Sequence, residues 1–461
     1  MSFADLSFLF YFLPAFFAVY YIVPRAWRNG VLVLGSFAFY FIGAGVRDTL
    51  LLAAAVAVHY TLARMMSGRR RGLRRFLLAL ALAADLYGLV YFKYAAFILE
   101  NLGKLTGTTF SLVQLVLPLG VSFYLFQSAG YLIDVYRGAA AEKNLLRYAA
   151  FTAAFPQLVM GPILRYDEWR APLGERTVAR ADAESGFELF CVGLCCKVLL
   201  ADQLAPLWAA IERIGYEYLS TPLAWLGAAG YSVQLYFDFQ GYSLMAMGLG
   251  QMLGLPVPRN FDSPYAARSV SEFYRRWHIT LGTWFRDYLY IPLGGSRNGT
   301  ARTVLSLTVV WFFTGLWHGA SWNFVLWGVA LLCFILLEKF CIGGFLRRHR
   351  LLSHLYVLLV IPPTWVIFRI TDLSALGAYF TRLFPFFGAH SAISAQDALK
   401  LLTSYWWLLL LGVVFCLPQP RRFYEKHGGS LLLKLPLFLL FWVCVYLIAT
   451  SGGNSFLYSR F

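Results

Sequence analysis

The chain has 461 residues, of which 59% are hydrophobic and 13% are charged, and its mean hydropathy is +0.62. A soluble domain is about half apolar and about a quarter charged, so this composition excludes an ordinary soluble protein and indicates an integral membrane protein. A formal net charge of +16 is also found in proteins that bind nucleic acid. However, no interleaved basic and aromatic binding module is visible, and we expect no nucleic-acid role.

Twelve apolar segments follow one another along the chain, and a membrane crossing takes about 20 residues. They lie at 6–23, 31–45, 49–64, 76–93, 111–133, 187–201, 222–250, 303–317, 321–338, 351–369, 403–418 and 431–450. No linker or fixed-period repeat divides the chain. The sequence therefore predicts an all-α, polytopic transmembrane helical bundle of about 11–12 membrane helices in a single domain, residues 1–461. Several segments are short for a full crossing, so some are expected to be re-entrant or buried.

Positive charges are unevenly distributed between these segments. With the N-terminus outside, 29 of the 39 Lys and Arg residues fall in the inside segments 24–30, 64–75, 134–186, 251–302, 339–350 and 419–430. Cytoplasmic loops of membrane proteins carry an excess of Lys and Arg. The charge thus predicts the orientation, and it places two long aromatic segments, 134–186 and 251–302, on the cytosolic side.

The first long segment contains an apolar run, 155–166, that is interrupted by Pro156 and by Gly161-Pro162. Proline removes a backbone donor and breaks a helix. Non-helical backbone at membrane depth is tolerated only where it is buried in protein or faces water. The run predicts a re-entrant segment, with an interfacial loop as the alternative.

The second long segment is rich in aromatic and basic residues between Ser271 and Gly295. Ser271 is predicted to N-cap a helix that ends before Pro292. Arg275, Arg276 and Trp277 are typical of an interfacial amphipathic helix. That interpretation explains His278 less well, because His278 follows Trp277 and leads into an apolar turn.

A third stretch, 311–323, places His318 among apolar and aromatic residues. An ionisable side chain in a membrane segment is costly and indicates a functional site, and histidine exchanges protons near neutral pH. Gly315 and Gly319 either leave room for a substrate beside the imidazole or serve helix–helix packing. A purely structural histidine is the other interpretation.

Asp238 lies in the apolar run 222–250 and is expected to face the bundle interior or water. It either orients a histidine or holds a packing hydrogen bond. The sequence has no G-x-S-x-G, H-E-x-x-H or Walker A motif and no cluster of metal ligands. From the residues alone, acyl transfer and transport both remain open.

Several long motifs in one order resemble the membrane-bound O-acyltransferase family, most closely its bacterial alginate-acetylating branch. The motifs cover nearly the whole chain and lie at 117–127, 133–138, 155–166, 236–242, 260–261, 273–295, 315–327 and 456–461. The resemblance implies a helical bundle around a central tunnel. It also implies that His318 is the principal catalytic histidine and His278 the second.

The resemblance further implies a function and its partners. The donor is expected to be acetyl-CoA or another cytosolic acyl thioester, with no bound cofactor and no metal. The acceptor is expected to be a polysaccharide that is acetylated with periplasmic partner proteins at the bacterial inner membrane, in contact with membrane lipid. Transfer of D-alanyl groups from an acyl carrier protein and a non-catalytic transporter are the alternatives.

Breaking a thioester with an alcohol needs a base for the hydroxyl and a donor for the thioester oxygen. A placed general base contributes about 10²–10⁴-fold. His318 is predicted as the base, and His278, Asn323 or backbone N–H groups near Gly319 as donors to the carbonyl. Arg275, Arg276 and Arg286 are predicted to meet the phosphates of the donor or to anchor the segment at the interface. The predicted site also includes Trp277, Asp238 and Gln157.

Overall fold

A computed structural model describes residues 1–110, 116–387, 394–451 and 456–457. Within these ranges the secondary structure is helical, and the one β-type pairing is an isolated bridge between Phe261 and Trp277. The predicted all-α fold is confirmed. Residues 111–115 of the predicted segment 111–133, and residues 452–455 and 458–461 at the tail, lie outside the described residues.

The α-helices are numbered in chain order. They are α1 Leu13–Ile22, α2 Arg28–Met66, α3 Arg71–Leu89, α4 Ala95–Thr106, α5 Val121–Arg137, α6 Leu145–Ala153, α7 Phe155–Leu158, α8 Tyr166–Gly174, α9 Arg180–Cys195, α10 Asp202–Ile214, α11 Thr221–Leu253, α12 Val270–Arg276, α13 Ile279–Phe285, α14 Gly299–His318, α15 Trp322–Leu337, α16 Gly343–Arg348, α17 Arg350–Arg369, α18 Leu373–Leu383, α19 Gln396–Cys416, α20 Pro418–His427 and α21 Leu431–Ser451. Single π-helical turns extend several of them, including Cys196–Ala201 after α9 and Glu338–Ile342 after α15.

Eight helical stretches in the described part of the chain are long and apolar enough to cross a membrane, which confirms a multi-pass membrane protein. They are Arg25–Met66, Arg71–Thr106, Arg180–Ile214, Gly299–His318, Trp322–Arg348, Arg350–Arg369, Gln396–Cys416 and Leu431–Ser451. The predicted segments 31–45 and 49–64 both fall within α2, where Gly45 adopts a non-helical φ of 80°. The count of about 11–12 membrane helices stays a prediction.

The described residues group into two compact units. Unit 1 comprises Met1–Cys191, Tyr242–Pro258 and Val445–Arg460, and unit 2 comprises Val192–Gly241 and Arg259–Cys444. Both predicted catalytic histidines belong to unit 2. The single domain over 1–461 stays a prediction.

The broken run 155–166 lies in the core of unit 1. Phe155 is fully buried and donates its backbone N–H to Ser36 Oγ at 3.0 Å. The short helix α7 ends at Leu158, and the backbone is irregular until α8 begins at Tyr166. The irregular backbone is therefore covered by protein, as non-helical backbone among apolar surroundings requires, while its re-entrant path stays a prediction.

Within unit 1, two glycines allow α9 and α11 to approach closely. A Cβ added to Gly248 would clash with the carbonyl oxygen of Gly186 and would lie 2.7 Å from the backbone nitrogen of Phe190. Small residues at such positions let the backbones of membrane helices come into contact. The contact fixes where the first turns of α9 lie against α11.

Unit 2 contains a buried ionic network that joins the end of α9 to α11. Lys197 Nζ lies 2.8 Å from Asp238 Oδ1 and 2.7 Å from Asp202 Oδ1, and all three side chains are buried or nearly so. Gly241, one turn after Asp238, packs against the backbone of Gly193 and Lys197. The cation compensates two carboxylates that would otherwise be very costly to bury.

Gly248→Ala is expected to destabilise the protein by about 1–3 kcal/mol, because the added methyl forces two packed backbones apart. Thermal unfolding in detergent measures the effect. Gly88→Ala is the matched control, because a Cβ at Gly88 in α3 meets no atom within 4 Å. An unchanged melting temperature for Gly248→Ala would contradict the close contact of α9 and α11.

Lys197→Met is expected to destabilise the protein by roughly 3–5 kcal/mol, because it leaves two buried carboxylates without their cation. Lys104→Met tests the same substitution in an exposed pair, where Lys104 bonds Glu100 at 2.7 Å. That change is expected to cost less than about 1 kcal/mol. Equal melting temperatures for the two variants would argue against a compensating role of Lys197.

Candidate active site

Helix α12 carries the first predicted histidine segment, and its N-terminus is held by two side chains. Ser269 Oγ accepts a hydrogen bond from the backbone N–H of Glu272 at 2.9 Å, which is an N-cap interaction. The carboxylate of Glu338 accepts from the backbone N–H groups of Val270 and Ser271, and from Ser271 Oγ at 2.6 Å. Glu338 follows α15, so a helix distant in sequence caps α12.

The backbone changes direction at His278. Helix α12 ends at Arg276, Trp277 is extended, and His278 adopts the left-handed conformation with φ 47° and ψ 53° before α13 begins. The backbone groups freed by the break pair with the segment 260–262. Ile279 N–H donates to the Asn260 carbonyl at 2.9 Å, and Asp262 N–H donates to the Arg276 carbonyl at 3.0 Å.

The prediction of one helix from Ser271 to just before Pro292 was therefore wrong. The cap is Ser269, and the segment forms α12, a break, α13 and a π-helical turn Arg286–Tyr290. The reason is the pairing with 260–262, which gives the backbone other hydrogen-bond partners at the break. The continuous aromatic and apolar pattern of the segment does not reveal it.

The imidazole of His278 is buried and has a defined partner. Its Nδ1 lies 3.2 Å from Oδ1 of Asn260, and its ring packs edge-on against Phe239 with 4.8 Å between ring centroids. Burial lowers the pKa of His278 to about 3. The side chain is therefore neutral at neutral pH.

His318 is the last residue of α14 and is also buried. Its ring packs edge-on against Trp327 and Phe368, with ring-centroid distances of 5.0 and 5.2 Å. The neighbouring Trp317 ring contacts both histidines, at 4.9 Å from His318 and 5.9 Å from His278. The two imidazoles thus share an aromatic environment in unit 2.

One cavity of about 860 Å³ reaches both histidines. Trp277, Arg275 and Arg286 also line it, as predicted for the site. Its charged lining residues are mostly basic: Arg268, Arg275, Arg286, Lys339 and Arg347 against Glu272 and Glu338. A cavity with this excess of positive charge suits an anionic ligand.

The remaining predicted residues lie elsewhere. Arg276 does not line the cavity, and it bonds Glu272 Oε1 at 2.6 Å. Asn323 donates its amide hydrogens to the carbonyls of Ile367 and Phe368, which ties α15 to α17. Those donors are thus engaged away from the cavity lining.

Asp238 and Gln157 are also absent from the cavity lining. Asp238 bonds Lys197, which matches a structural hydrogen bond better than the orientation of a histidine. Gln157 lies in unit 1 and donates to the Phe151 carbonyl at 2.5 Å.

The glycines beside His318 face protein. A Cβ at Gly315 would lie 2.5 Å from the Phe324 carbonyl oxygen, and one at Gly319 would overlap the Phe324 ring. Of the two interpretations, helix packing of α14 against α15 is favoured. The glycines set the close contact of these two helices, and with it the position of His318.

Sequence reasoning gave no role to Asn260, Glu338 or Lys197. Asn260 appeared within a motif, but nothing local connects it to His278, 18 residues later. Glu338 lies 68 residues from Val270, whose N–H it accepts. No sequence signal marks these partners, because each depends on contacts between segments far apart in the chain.

Comparisons with known proteins bear on this arrangement. The model of the membrane-bound O-acyltransferase family matches residues 141–370, a range that contains both histidines. The chain is 39% identical to a protein named "Probable alginate O-acetylase AlgI" from Azotobacter vinelandii, over 92% of this chain and 86% of the relative. It is 29% identical to a peptidoglycan O-acetyltransferase of Helicobacter pylori, over 98% and 96% respectively.

A teichoic acid D-alanyltransferase of Streptococcus thermophilus is 30% identical over 46% of this chain and 54% of the relative. The relatives from Azotobacter vinelandii and Helicobacter pylori are each matched over more than four fifths of their length and of this chain. The chain belongs to the membrane-bound O-acyltransferase family and is an O-acyltransferase.

Proposed function

We propose that this enzyme transfers an acetyl group from cytosolic acetyl-CoA to hydroxyl groups of a secreted or cell-surface polysaccharide. The observation that carries the proposal is a cavity that His278 and His318 both line and that has five basic lining residues against two acidic ones. The relatives named for acetylating alginate and peptidoglycan support a polysaccharide acceptor. The bacterial relatives and the apolar spanning helices support a location in the bacterial inner membrane, with transfer to the acceptor directly or through periplasmic partner proteins. The excess of Lys and Arg in the inside segments supports the orientation.

The chemistry needs two functions at the reacting centre. The acceptor oxygen forms a bond to the acetyl carbon, the carbon–sulfur bond breaks, and the hydroxyl proton ends on the departing sulfur. A proton acceptor must face the hydroxyl, and a hydrogen-bond donor must face the carbonyl oxygen as it becomes negative. Two histidines on one cavity supply groups of both kinds, because a neutral imidazole has one donor and one acceptor nitrogen.

The donor phosphates have candidate partners among the basic lining residues. Arginine binds phosphate through several N–H groups in a planar arrangement. Arg275 lines the cavity and is exposed, whereas the adjacent Arg276 bonds Glu272 and lies outside the lining. Arg275 and Arg286 are therefore better placed for the donor than Arg276.

D-Alanyl transfer from a carrier protein is a second candidate, which the similarity to a teichoic acid D-alanyltransferase supports over about half of the chain. The two functions differ in the donor. To separate the two functions, the purified enzyme is incubated either with labelled acetyl-CoA or with a labelled acyl carrier protein. The donor whose label appears on the polysaccharide identifies the function. We expect transfer from acetyl-CoA.

His318→Ala is expected to reduce the O-acetyl content of the polysaccharide to background while the protein still inserts and accumulates. The reason is that loss of a placed acid–base group costs about 10²–10⁴-fold. His427→Ala is the matched control, because His427 is exposed at the end of α20 and does not line the cavity. Normal acetylation with His318→Ala would refute the assignment of the site.

Arg275→Gln is expected to raise the KM for acetyl-CoA by about two- to fivefold, which corresponds to an exposed ion pair worth roughly 0.5–1 kcal/mol. The effect should diminish at high salt, because exposed charges are screened. Arg276→Gln is the neighbouring control and should leave this KM nearly unchanged. Equal KM values for both variants and the unaltered enzyme would exclude Arg275 as a phosphate partner.

A further inference from the structure

Two arginines lie against one buried tyrosine ring in unit 1. The Cζ atoms of Arg28 and Arg176 are 5.3 and 5.7 Å from the centre of the Tyr20 ring. Contacts of a cation with an aromatic ring are favourable, but they neutralise neither charge. Within the described part of the chain no carboxylate pairs with either arginine, and Glu175, the neighbour of Arg176, is exposed. The protein therefore concentrates two positive charges here without a counter-charge of its own.

The guanidinium group of Arg176 is held in a fixed orientation. Its Nε donates to the hydroxyl of Tyr20 at 2.8 Å, and its Nη1 donates to Oδ1 of Asn29 at 2.6 Å. Both acceptors are themselves hydrogen-bonded to backbone carbonyls, those of Leu253 and Leu173. The Nη2 atom is buried and has no hydrogen-bond partner among the described residues. Buried polar atoms nearly always have a partner, so this nitrogen indicates one from outside the chain.

Arg28 begins α2 and is unpaired as well. Its side chain makes no hydrogen bond to the described residues, and its Nε is buried. This end of α2 has no side-chain cap and no acidic residue in its first turn. A helix N-terminus favours negative charge, so a cation there is unfavourable unless an anion lies beside it. A Cβ added to Gly30, in the same turn, meets no atom within 4 Å, so this turn has open space at its surface.

The residues around Arg28 place it at the membrane surface. Ile22 is 82% exposed and Trp27 is 69% exposed, so both can meet lipid. Tryptophan favours the boundary between membrane and water, and the distribution of Lys and Arg predicts that residues 24–30 lie on the cytosolic side. Arginine binds phosphate oxygens through several N–H groups in one plane. An anion that meets two arginines at this depth is best supplied by a phospholipid headgroup.

We infer that Arg28 and Arg176 form a binding site for the phosphate group of an anionic phospholipid in the cytosolic leaflet. Two arginines without a carboxylate favour a lipid with net negative charge over a zwitterionic one, because each basic residue near the membrane surface adds attraction. Exposed apolar residues such as Ile22 are available to the acyl chains. Neither arginine lines the cavity that contains the two histidines, so the inference does not depend on the proposed function.

Native mass spectrometry of the full-length protein in detergent tests the site. The protein is titrated with phosphatidylglycerol or with phosphatidylcholine that has the same acyl chains. We expect the unaltered protein to bind at least one phosphatidylglycerol more tightly by about tenfold, because two basic residues favour the anionic headgroup. Arg28→Gln combined with Arg176→Gln should remove this preference. Equal affinity of the unaltered protein for the two lipids would overturn the inference.

Arg69→Gln combined with Arg71→Gln is the matched control. Both arginines are exposed in unit 1, in another predicted cytosolic segment, and neither contacts Tyr20. The control therefore removes the same amount of charge but leaves the site intact, and it should keep the preference for phosphatidylglycerol. If both double variants lose the preference equally, the lipid responds to the overall charge and the inference fails.

The single variant Arg28→Gln provides a test if loss of Arg176, which bonds Tyr20 and Asn29, prevents folding. Phosphatidylglycerol should raise the melting temperature of the unaltered protein, because a ligand that binds only the folded state stabilises it. The increase should be smaller for Arg28→Gln, and an equal increase would contradict a role of Arg28.

Inorganic phosphate distinguishes a lipid headgroup from a free anion at the same site. The melting temperature of the unaltered protein is compared with phosphate and with phosphatidylglycerol at equal concentration. We expect a greater increase with the lipid, because its acyl chains add apolar contacts to the phosphate contacts. An equal or greater increase with inorganic phosphate would overturn the assignment of a phospholipid.

Discussion

Backbone groups inside an apolar bundle must find their hydrogen-bond partners within the protein. The candidate site depends on how the chain satisfies these groups at the break between α12 and α13. Between α12 and α13 the helix stops at Arg276 and restarts at Ile279. The break is buried in protein, so each unpaired backbone group there would cost about 1–3 kcal/mol. The segment 260–262 supplies the partners, and His278 is held in the turn that results.

A second contact connects this turn to the helices that carry His318. The backbone N–H groups at the start of a helix are unpaired and favour a negative charge. The Glu338 carboxylate satisfies those of α12 from the end of α15. Helix α15 packs closely on α14 because Gly315 and Gly328 leave no side chain between them. The capping carboxylate and the glycine contact together determine that both imidazoles line one cavity.

The sequence was sufficient to predict the positions of the apolar helices, because these depend on composition. A membrane helix must be apolar along its length, so α14, α15, α17, α19 and α21 coincide with the apolar segments predicted for them. His278 and His318 were named as site residues with a family resemblance as support, and both line one cavity, while their catalytic roles stay predictions. What the sequence did not provide is the pairing of polar groups. Lys197 lies within the predicted segment 187–201, and nothing in that segment indicates that it compensates Asp238, 41 residues away.

The same limit explains the helix predicted from Ser271. The residues around Trp277 and His278 favour a continuous amphipathic helix locally, and the competing hydrogen bonds come from a segment outside that pattern. Gly315 and Gly319 illustrate the point for packing. A glycine leaves space beside the backbone, but the sequence does not show what fills that space. Here Phe324 of the neighbouring helix α15 fills it, and not a ligand.

The partners of the two buried polar groups, Asp238 and His278, have a consequence for the reaction. The Asp238 carboxylate, one predicted partner for a histidine, is paired with Lys197, and the neutral amide of Asn260 contacts His278 instead. A carboxylate beside Nδ1 would stabilise the imidazolium, whereas Asn260 adds no negative charge. A persistent imidazolium would also repel the five basic side chains of the cavity, which suit an anionic donor. Asn260 therefore holds His278 without adding charge to a cavity that is lined by five basic and two acidic side chains.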